Sequence, residues 1–324
     1  MNPAEINSLS LLYVNAATQT EMLLKSLASV LEFHPELERR TVIVDNHTTN
    51  QAANIVLIRK RFPEARIIAS DKNVGLARAL NWGMYNCDQK YILYLNNDTY
   101  IEDGLSIPRM IAHLDEHLEI ALLGPQLLNA DKTVQRSCRM FYDVATILYR
   151  RTSLGRLFFG RHKVEKILMK DFDHQSIRAV DWVFGAASLI RREAIFDIGL
   201  FDERYPYYFE DMDLGRRLWE GGYQVVYYPL AKVVHYHQQE SQSTRGWLLN
   251  LIVALLFDYR ERYPFERQTG WIDRYTNKKA RLHIVSGFKY VFKYARSDLD
   301  IRRSTLQAIE MDKYEKQKLK HQNV

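Results

Sequence analysis

Three short clusters in this chain combine residue types that can do chemistry. The apolar run Tyr91–Leu95 ends in Asn96-Asn97-Asp98. A carboxylate beside amides can hold a hard divalent cation through oxygen ligands, and such a cation can bridge a diphosphate. The same three residues also make an ordinary strand-ending turn. Glu210-Asp211-Met212-Asp213 stands where a helix should begin. Acidic residues there cap the helix and meet its dipole, and one of them can also take a proton from a hydroxyl. We assign Asp213 to the structural task and Asp211 to the chemical one. His235 and His237 follow an apolar run and fall on one face if it stays extended. An imidazole there can join Asp98 around a metal. Two weaker features accompany these. Asp45 closes the β-branched run Thr41–Val44 and suits either an Asx turn or a contact with a base or ribose. Asn73, Gly75, Asn81 and Gly83 fit a tight loop feeding a helix.

The elements that must position these residues alternate. Ser8–Val14, Thr41–Val44, Arg66–Ser70, Tyr91–Leu95 and Ile120–Leu123 read as buried strands. Helical spacing falls between them, at roughly 20–33, 50–61, 75–87 and 103–117. Strands alternating with helices predict an α/β unit with a largely parallel sheet, whose ligands bind beyond the carboxyl ends of the strands. Asn15, Asp45-Asn46 and Asn96-Asn97-Asp98 are three such ends and should converge at one edge. The alternation breaks over 139–170 and resumes at Trp182–Ile190, read as one apolar strand. A helix should run to about Glu220 and stop at Gly221-Gly222. The strand Gln224–Tyr228 should end at Pro229. The expected organisation is one domain over 1–242, with a donor half at about 1–130 and an acceptor half at about 171–242. A helical, basic C-terminal extension follows over 243–324.

The 324 residues carry a formal charge of +6, with a hydrophobic share of 47%. The charge is unevenly spread. Residues 258–324 hold 16 basic and 9 acidic side chains, and residues 139–170 hold 8 and 2, which leaves a net of −7 for the rest. An acidic body with two basic segments is not a nucleic-acid-binding pattern, and no nucleic-acid partner is expected. The two cysteines, Cys87 and Cys138, exclude a disulfide framework and a Cys-based zinc site, and fit a reducing compartment. No secretory signal is visible at the start of the sequence. Trp247–Phe257 is the most apolar run and is too short to span a bilayer. The expected location is cytoplasmic. Peripheral docking on the cytoplasmic face of the inner membrane would go through the basic segments; a solvated helix surface explains the tail's charge equally well.

In their order along the chain, these segments resemble the family-2 glycosyltransferases of the GT-A fold, and most closely the rhamnosyltransferase branch. The resemblance is carried by Val44-Asp45-Asn46, Asn73, Gly75, Asn81, Gly83, Leu95-Asn96-Asn97-Asp98-Thr99 and Gly185-Ala186. Its most specific stretch is Ile198-Gly199, Phe201-Asp202-Glu203 and Tyr208 to Leu214, followed by Arg217, Gly222 and His235. It implies a Rossmann-like nucleotide-binding sheet, mostly parallel but mixed, with helices on both faces. It also implies a nucleotide-sugar donor, a divalent cation (Mn2+ or Mg2+) and inverting transfer to a glycan or a polyprenyl-diphosphate-linked acceptor. The best match in substrate is rhamnose from dTDP-rhamnose, in cell-surface polysaccharide synthesis. Asp211 would be the catalytic base; Asp98 and His235, with His237 as a rival, would hold the metal. The donor would lie on Asn15, Asp45, Asn73, Gly75, Asn81 and Asn97, with Asp45 on the nucleobase. The acceptor would lie on Gly185, Ala186 and Glu210. Two departures stand out. Asn96 replaces the first acidic residue of the metal motif, and Leu80 stands where many relatives carry Arg, leaving Arg78 or Lys72 to meet the diphosphate. Two other classes fit an α/β nucleotide-binding sheet. A nucleotidyltransferase would need a Gly-rich basic loop where this chain reads Asn15-Ala16-Ala17-Thr18. A non-catalytic binding module would have no use for Asp98, Asp211 and a histidine together.

Overall fold

The computed structural model describes residues 6–143, 146, 158–205, 207–236, 251–252, 255 and 278–294. The boundary expected between 242 and 243, His237, and most of Trp247–Phe257 lie outside the described residues.

The first part of the chain is built as the alternation predicts. Strands β1 (Leu9–Ala17), β2 (Thr41–Thr48), β3 (Arg66–Ala69), β4 (Tyr91–Leu95), β5 (Thr99–Tyr100) and β6 (Ile120–Leu128) interleave with four helices. These are α1 (Thr20–Phe33), α2 (Gln51–Arg61), α3 (Leu76–Tyr85) and α4 (Ser106–Glu116). Short strands β7 (Val134–Gln135) and β8 (Cys138–Arg139) and helix α5 (Phe158–Ile167) lead into the second half. That half holds β9 (Arg178–Ala179), β10 (Trp182–Val183), β11 (Ala187–Arg191), α6 (Arg192–Asp197), α7 (Glu210–Glu220) and β12 (Gln224–His235). Helix α8 (Lys278–Tyr294) belongs to the basic tail.

The main sheet runs β3-β2-β1-β4-β11-β6-β12-β5, with β7 on β6 and β9 on β12. The first four strands are parallel, and so are β6 and β12. Strand β11 is inserted antiparallel between β4 and β6. The sheet is therefore mixed, and its insertion splits the run expected as one strand at Trp182–Ile190. Trp182–Val183 pairs with Cys138–Arg139 in a separate two-stranded ribbon, and the chain enters the main sheet only at Ala187. Pro229 does not end its strand either. The register slips between Tyr228 and Lys232, so the proline, which has no N–H to give, sits in an irregularity and β12 continues to His235.

The central strands are apolar on both faces because helices cover both. Leu11, Tyr13, Ile43 and Leu93 pack with Leu23 and Leu27 of α1 and Met110 and Ile111 of α4. Leu12, Val14, Val44 and Tyr94 pack with Ala77 and Leu80 of α3 and Met212 and Leu218 of α7. Helix α7 lies so close that a Cβ on Gly215 would come within 2.6 Å of the Asp181 carbonyl oxygen.

Helix α8 docks on the same body. Tyr290 joins the core beside α7, and Ser286 donates to the Tyr207 carbonyl at 2.9 Å. Arg281 is buried, Lys289 donates to the Arg204 carbonyl, and Lys293 bonds Asp202 and Asp213. The three tail cations whose side chains are described thus contact the body of the fold. Glu165 of α5 pairs with Arg161 on the same helix and with Lys170 just beyond it, and Lys163 pairs with Asp143.

Candidate active site

Parallel pairing of β1 with β2 and β4 brings three polar strand tips side by side. Asn15 stands opposite Asp45 in register. The Asn15 amide donates to Asp45 Oδ2 at 3.3 Å and to Thr20 Oγ1 at 3.0 Å, and Asn97 donates to Asn15 Oδ1 at 3.2 Å. Asn97 also donates to Gln19, while its own buried Oδ1 has no hydrogen-bond partner among the described residues. Asp45 is fully buried and accepts four bonds, from the Thr48 N–H and hydroxyl, Gln51 and Asn15. A carboxylate offers about four lone-pair positions, so its capacity is filled within the chain. It forms the Asx turn and the interstrand link together, and a base reaching it has to displace Gln51, its half-buried partner.

The turn Asn96–Thr99 follows β4. The Asn96 N–H is held by the Ala186 carbonyl at 2.8 Å, and its Oδ1 accepts the Tyr94 hydroxyl at 2.6 Å. Strand β5 then pairs with the end of β12, placing His235 opposite Thr99. His235 Nε2 comes to 3.4 Å from Asp98 Oδ1, and the Tyr236 N–H bonds the Asp98 carbonyl. The other ring nitrogen, Nδ1, lies 2.7 Å from Gln135 Oε1. Gln135 is oriented in turn, since its amide nitrogen donates to Asn129, which donates to Thr133. A carbonyl oxygen on Nδ1 puts the imidazole proton there and turns the Nε2 lone pair toward the Asp98 carboxylate. The imidazole nitrogen and the carboxylate oxygen face each other at 3.4 Å, two ligand types that can share a divalent cation. These residues fit a divalent metal.

The acid pair lies across the Tyr94 ring. Residues Tyr208 and Phe209, with φ of 65° and 71°, turn the chain through the left-handed region into α7. Such backbone costs about 1–3 kcal/mol per residue and persists only where packing enforces it. Here Phe209 is buried against the rings of Tyr142, Tyr290 and His283. Glu210 and Asp211 follow. Burial pushes Glu210 up to about 8, with the Asp211 charge adding to it. Burial also raises Asp211, to about 6, against the opposing N–H groups of Met212 and Gly185. The Tyr94 hydroxyl is pushed well above its ordinary value, first by burial and then by the charges of Glu210, Asp98 and Asp211, so both clusters act on one ring.

Asp211 and Asp213 differ in what remains open to them. Asp211 Oδ1 accepts the Met212 N–H at 2.8 Å and Oδ2 the Gly185 N–H at 3.4 Å. About two acceptor positions are left. Asp213 is fully buried, with Oδ1 on Tyr205, Lys293 and Tyr294 and Oδ2 on Arg217. It ties α7 to α8 and has no capacity to spare.

Other expected contacts are placed differently. Asn73 accepts from the Asn46 amide and the Gly75 N–H, and Gly75, at φ 85°, opens α3. These two shape the loop beside β2. Asn81 is buried and bonds the Phe201 N–H and carbonyl and Glu203. Its amide matches a backbone segment, which removes it from the donor surface. Arg78 pairs with Glu203 at 2.8 Å, so it does not stand ready for a diphosphate. Gly185 adjoins Asp211, but the Ala186 side chain is in the core and Glu210 is only 8% exposed, so neither lines an open acceptor surface. Gln19, Gln51, Tyr94 and Gln135 are site residues that no sequence motif marks. Only the strand period, which sets Tyr94 on the face opposite Leu93 and Leu95, hinted at any of them.

The family model for glycosyl transferase family 2 matches residues 14–195, more than half of the chain. The chain belongs to this family. The match begins within β1 and takes in the Asp45 and Asn96–Asp98 tips. This family-2 glycosyltransferase is similar to N-acetylglucosaminyl-diphospho-decaprenol L-rhamnosyltransferase of Mycobacterium tuberculosis, at 26% identity over 243 residues, 71% of this chain and 76% of that one. Among solved structures, GalNAc-T7 with UDP, GalNAc and Mn2+ is similar with a TM-score of 0.53 and 14% identity, over 79% of this chain and 48% of that one. The mannosyltransferase PcManGT from Pyrobaculum calidifontis, with GDP-Man and Mn2+, is similar with a TM-score of 0.50 and 12% identity, over 94% of this chain and 80% of that one. The enzyme has the mixed α/β architecture of these glycosyltransferases, the GT-A fold. Among the described residues no helix is long and apolar enough to cross a membrane.

Proposed function

We propose that this enzyme transfers a rhamnosyl group, with inversion, from dTDP-rhamnose to a hydroxyl of a polyprenyl-diphosphate-linked glycan in cell-surface polysaccharide synthesis. The observation that carries the reaction type is Asp211: half-buried, raised in proton affinity, held by two backbone N–H groups and still open to a third partner. An inverting transfer needs one base, which takes the acceptor proton as the hydroxyl attacks from the face opposite the nucleotide. Asp211 Oδ is that base, and Gly185 and Met212 fix its plane. Asp98 and His235 would hold a divalent cation, Mn2+ or Mg2+, with Gln135 fixing the imidazole. When bound, that cation neutralises charge on the leaving diphosphate. Asn15 and Asn97 line the donor side, and the nucleobase meets Asp45 in place of Gln51. The rhamnosyl donor and the lipid-linked acceptor are supported by similarity to the mycobacterial enzyme. Such an acceptor would bring the enzyme to the membrane surface from the cytoplasmic side.

The test uses purified enzyme with a panel of nucleotide sugars and Mn2+. dTDP-rhamnose should raise the melting temperature most, by mass action on the folded state. With a short-chain lipid-diphosphate acceptor, product should form with native enzyme and not with Asp211→Asn, which should still bind the donor. Full activity in Asp211→Asn would overturn the assignment, and a stronger response to another donor would replace rhamnose.

A further inference from the structure

Helix α4 ends in His113-Leu114-Asp115-Glu116-His117. Positions i, i+3 and i+4 share a helix face, so the spacing alone gathers both imidazoles and the carboxylate. The structure does gather them: one ring nitrogen of each histidine and one Glu116 oxygen lie within 4.8 Å of one another. We propose that His113, Glu116 and His117 form a zinc site at the C-terminal end of α4, separate from the Asp98–His235 pair.

Four observations support it. First, two imidazoles and a carboxylate are a zinc ligand set, and imidazole favours zinc over the harder magnesium or calcium. Second, His117 has an orienting partner. Its Nδ1 lies 3.1 Å from Glu119 Oε1, which keeps the proton on Nδ1 and the Nε2 lone pair for a metal. Third, the rings are already arranged. His113 packs on Tyr228 with centroids 4.8 Å apart and on His117 at 4.4 Å. Fourth, the backbone beneath is fixed. The buried Arg191 guanidinium donates to the Leu114 carbonyl at 2.6 Å and the His117 carbonyl at 3.1 Å, while Tyr91 and Lys90 hold Asp115 on the neighbouring face. Nothing large has to move for the three ligands to close on an ion. The site is separate from the Asp98–His235 pair: Tyr228 stands opposite Pro125 and Val234 opposite Leu128, which sets Tyr228 roughly 13 Å along the sheet from His235. It is a structural site that would pin the last turn of α4, whose His113 ring packs on Tyr228 of β12, and it is not part of the transfer chemistry.

The experiment is equilibrium dialysis of the full-length enzyme against Zn2+ at pH 7.5, with bound zinc counted per chain. The native enzyme should retain one more zinc than His113→Gln/His117→Gln, and zinc should raise the native melting temperature by about 5 °C at a hundredfold excess over Kd. Since His113 packs on Tyr228, His117→Gln alone, at a half-exposed position, guards against a folding defect and should lose the same zinc. Glu119→Gln should weaken binding roughly tenfold or more through the imidazole. Equal zinc content and equal melting response in native enzyme and His117→Gln would overturn the proposal. Loss of that zinc with the transfer rate unchanged would establish the site as separate from the active centre.

Discussion

Glu210 is the residue whose burial makes the sharpest quantitative demand. Its carboxyl rises from 4.5 to about 8, driven by burial and then by the Asp211 charge, and its Oε2 has no hydrogen-bond partner among the described residues. A carboxyl with a raised folded-state value holds its proton in the native state when the unfolded chain has released it. Between 4.5 and about 8 the native state therefore binds more protons, and stability falls as pH rises through that window. At 1.36 kcal/mol per unit, the full loss above pH 8 is on the order of 4–5 kcal/mol. Glu210→Gln keeps the shape and cannot ionise. Urea melts of both proteins at pH 5 and pH 8.5 measure the effect. At pH 5 the two should agree within about 1 kcal/mol, while at pH 8.5 the variant should be more stable by on the order of 4–5 kcal/mol. Asp211 also titrates, at about 6, in both proteins, and because its charge helps raise Glu210 the difference reports the pair. A stability difference that is the same at both pH values would refute the reasoning. A variant less stable at pH 8.5 would show that Glu210 is charged and paired in the folded enzyme.

The acid limb of kcat/KM should fall tenfold per unit below a pH of about 6, as Asp211 takes up its proton; Asp211→Asn should lower kcat by roughly 10²–10⁴ and flatten that limb. A profile without the limb would assign the base elsewhere. Gln135→Leu should raise the Mn2+ concentration for half-maximal rate about 10–100-fold while leaving kcat at saturating metal near native, because it loosens His235 without touching a ligand atom. Lys293→Met should cost about 1.5–3 kcal/mol in a urea melt, since it removes a charged hydrogen bond to the fully buried Asp213. Gly215→Ala should lower the melting temperature by several degrees, because a methyl placed 2.6 Å from the Asp181 carbonyl forces α7 off β10.

Much of the framework was legible in the residues. The continuous apolar runs at β1, β2 and β4 can be satisfied only by a sheet buried on both faces, and their polar ends name the edge where a ligand sits. Acidic residues after Phe209 mark the start of α7 by dipole and capping chemistry alone. What a period cannot reveal is partner choice across the fold. Asp211 and Asp213 stand two residues apart with the same side chain. Tertiary contacts fill every acceptor position on Asp213 with residues drawn from α7, α8 and the preceding loop, and leave Asp211 with backbone donors only. Asn81 carries the same amide as Asn97, yet it is spent on the Phe201 backbone. Strand β11 enters antiparallel because an edge between β4 and β6 was open to it, a fact of topology and not of composition. Local sequence determines which face is apolar and where an element can stop, since those depend on neighbours a few residues away. Whether a carboxylate is saturated, strained in its protonation or open to a substrate depends on atoms up to 81 residues away, as with Tyr294 on Asp213, and only the folded chain brings those together.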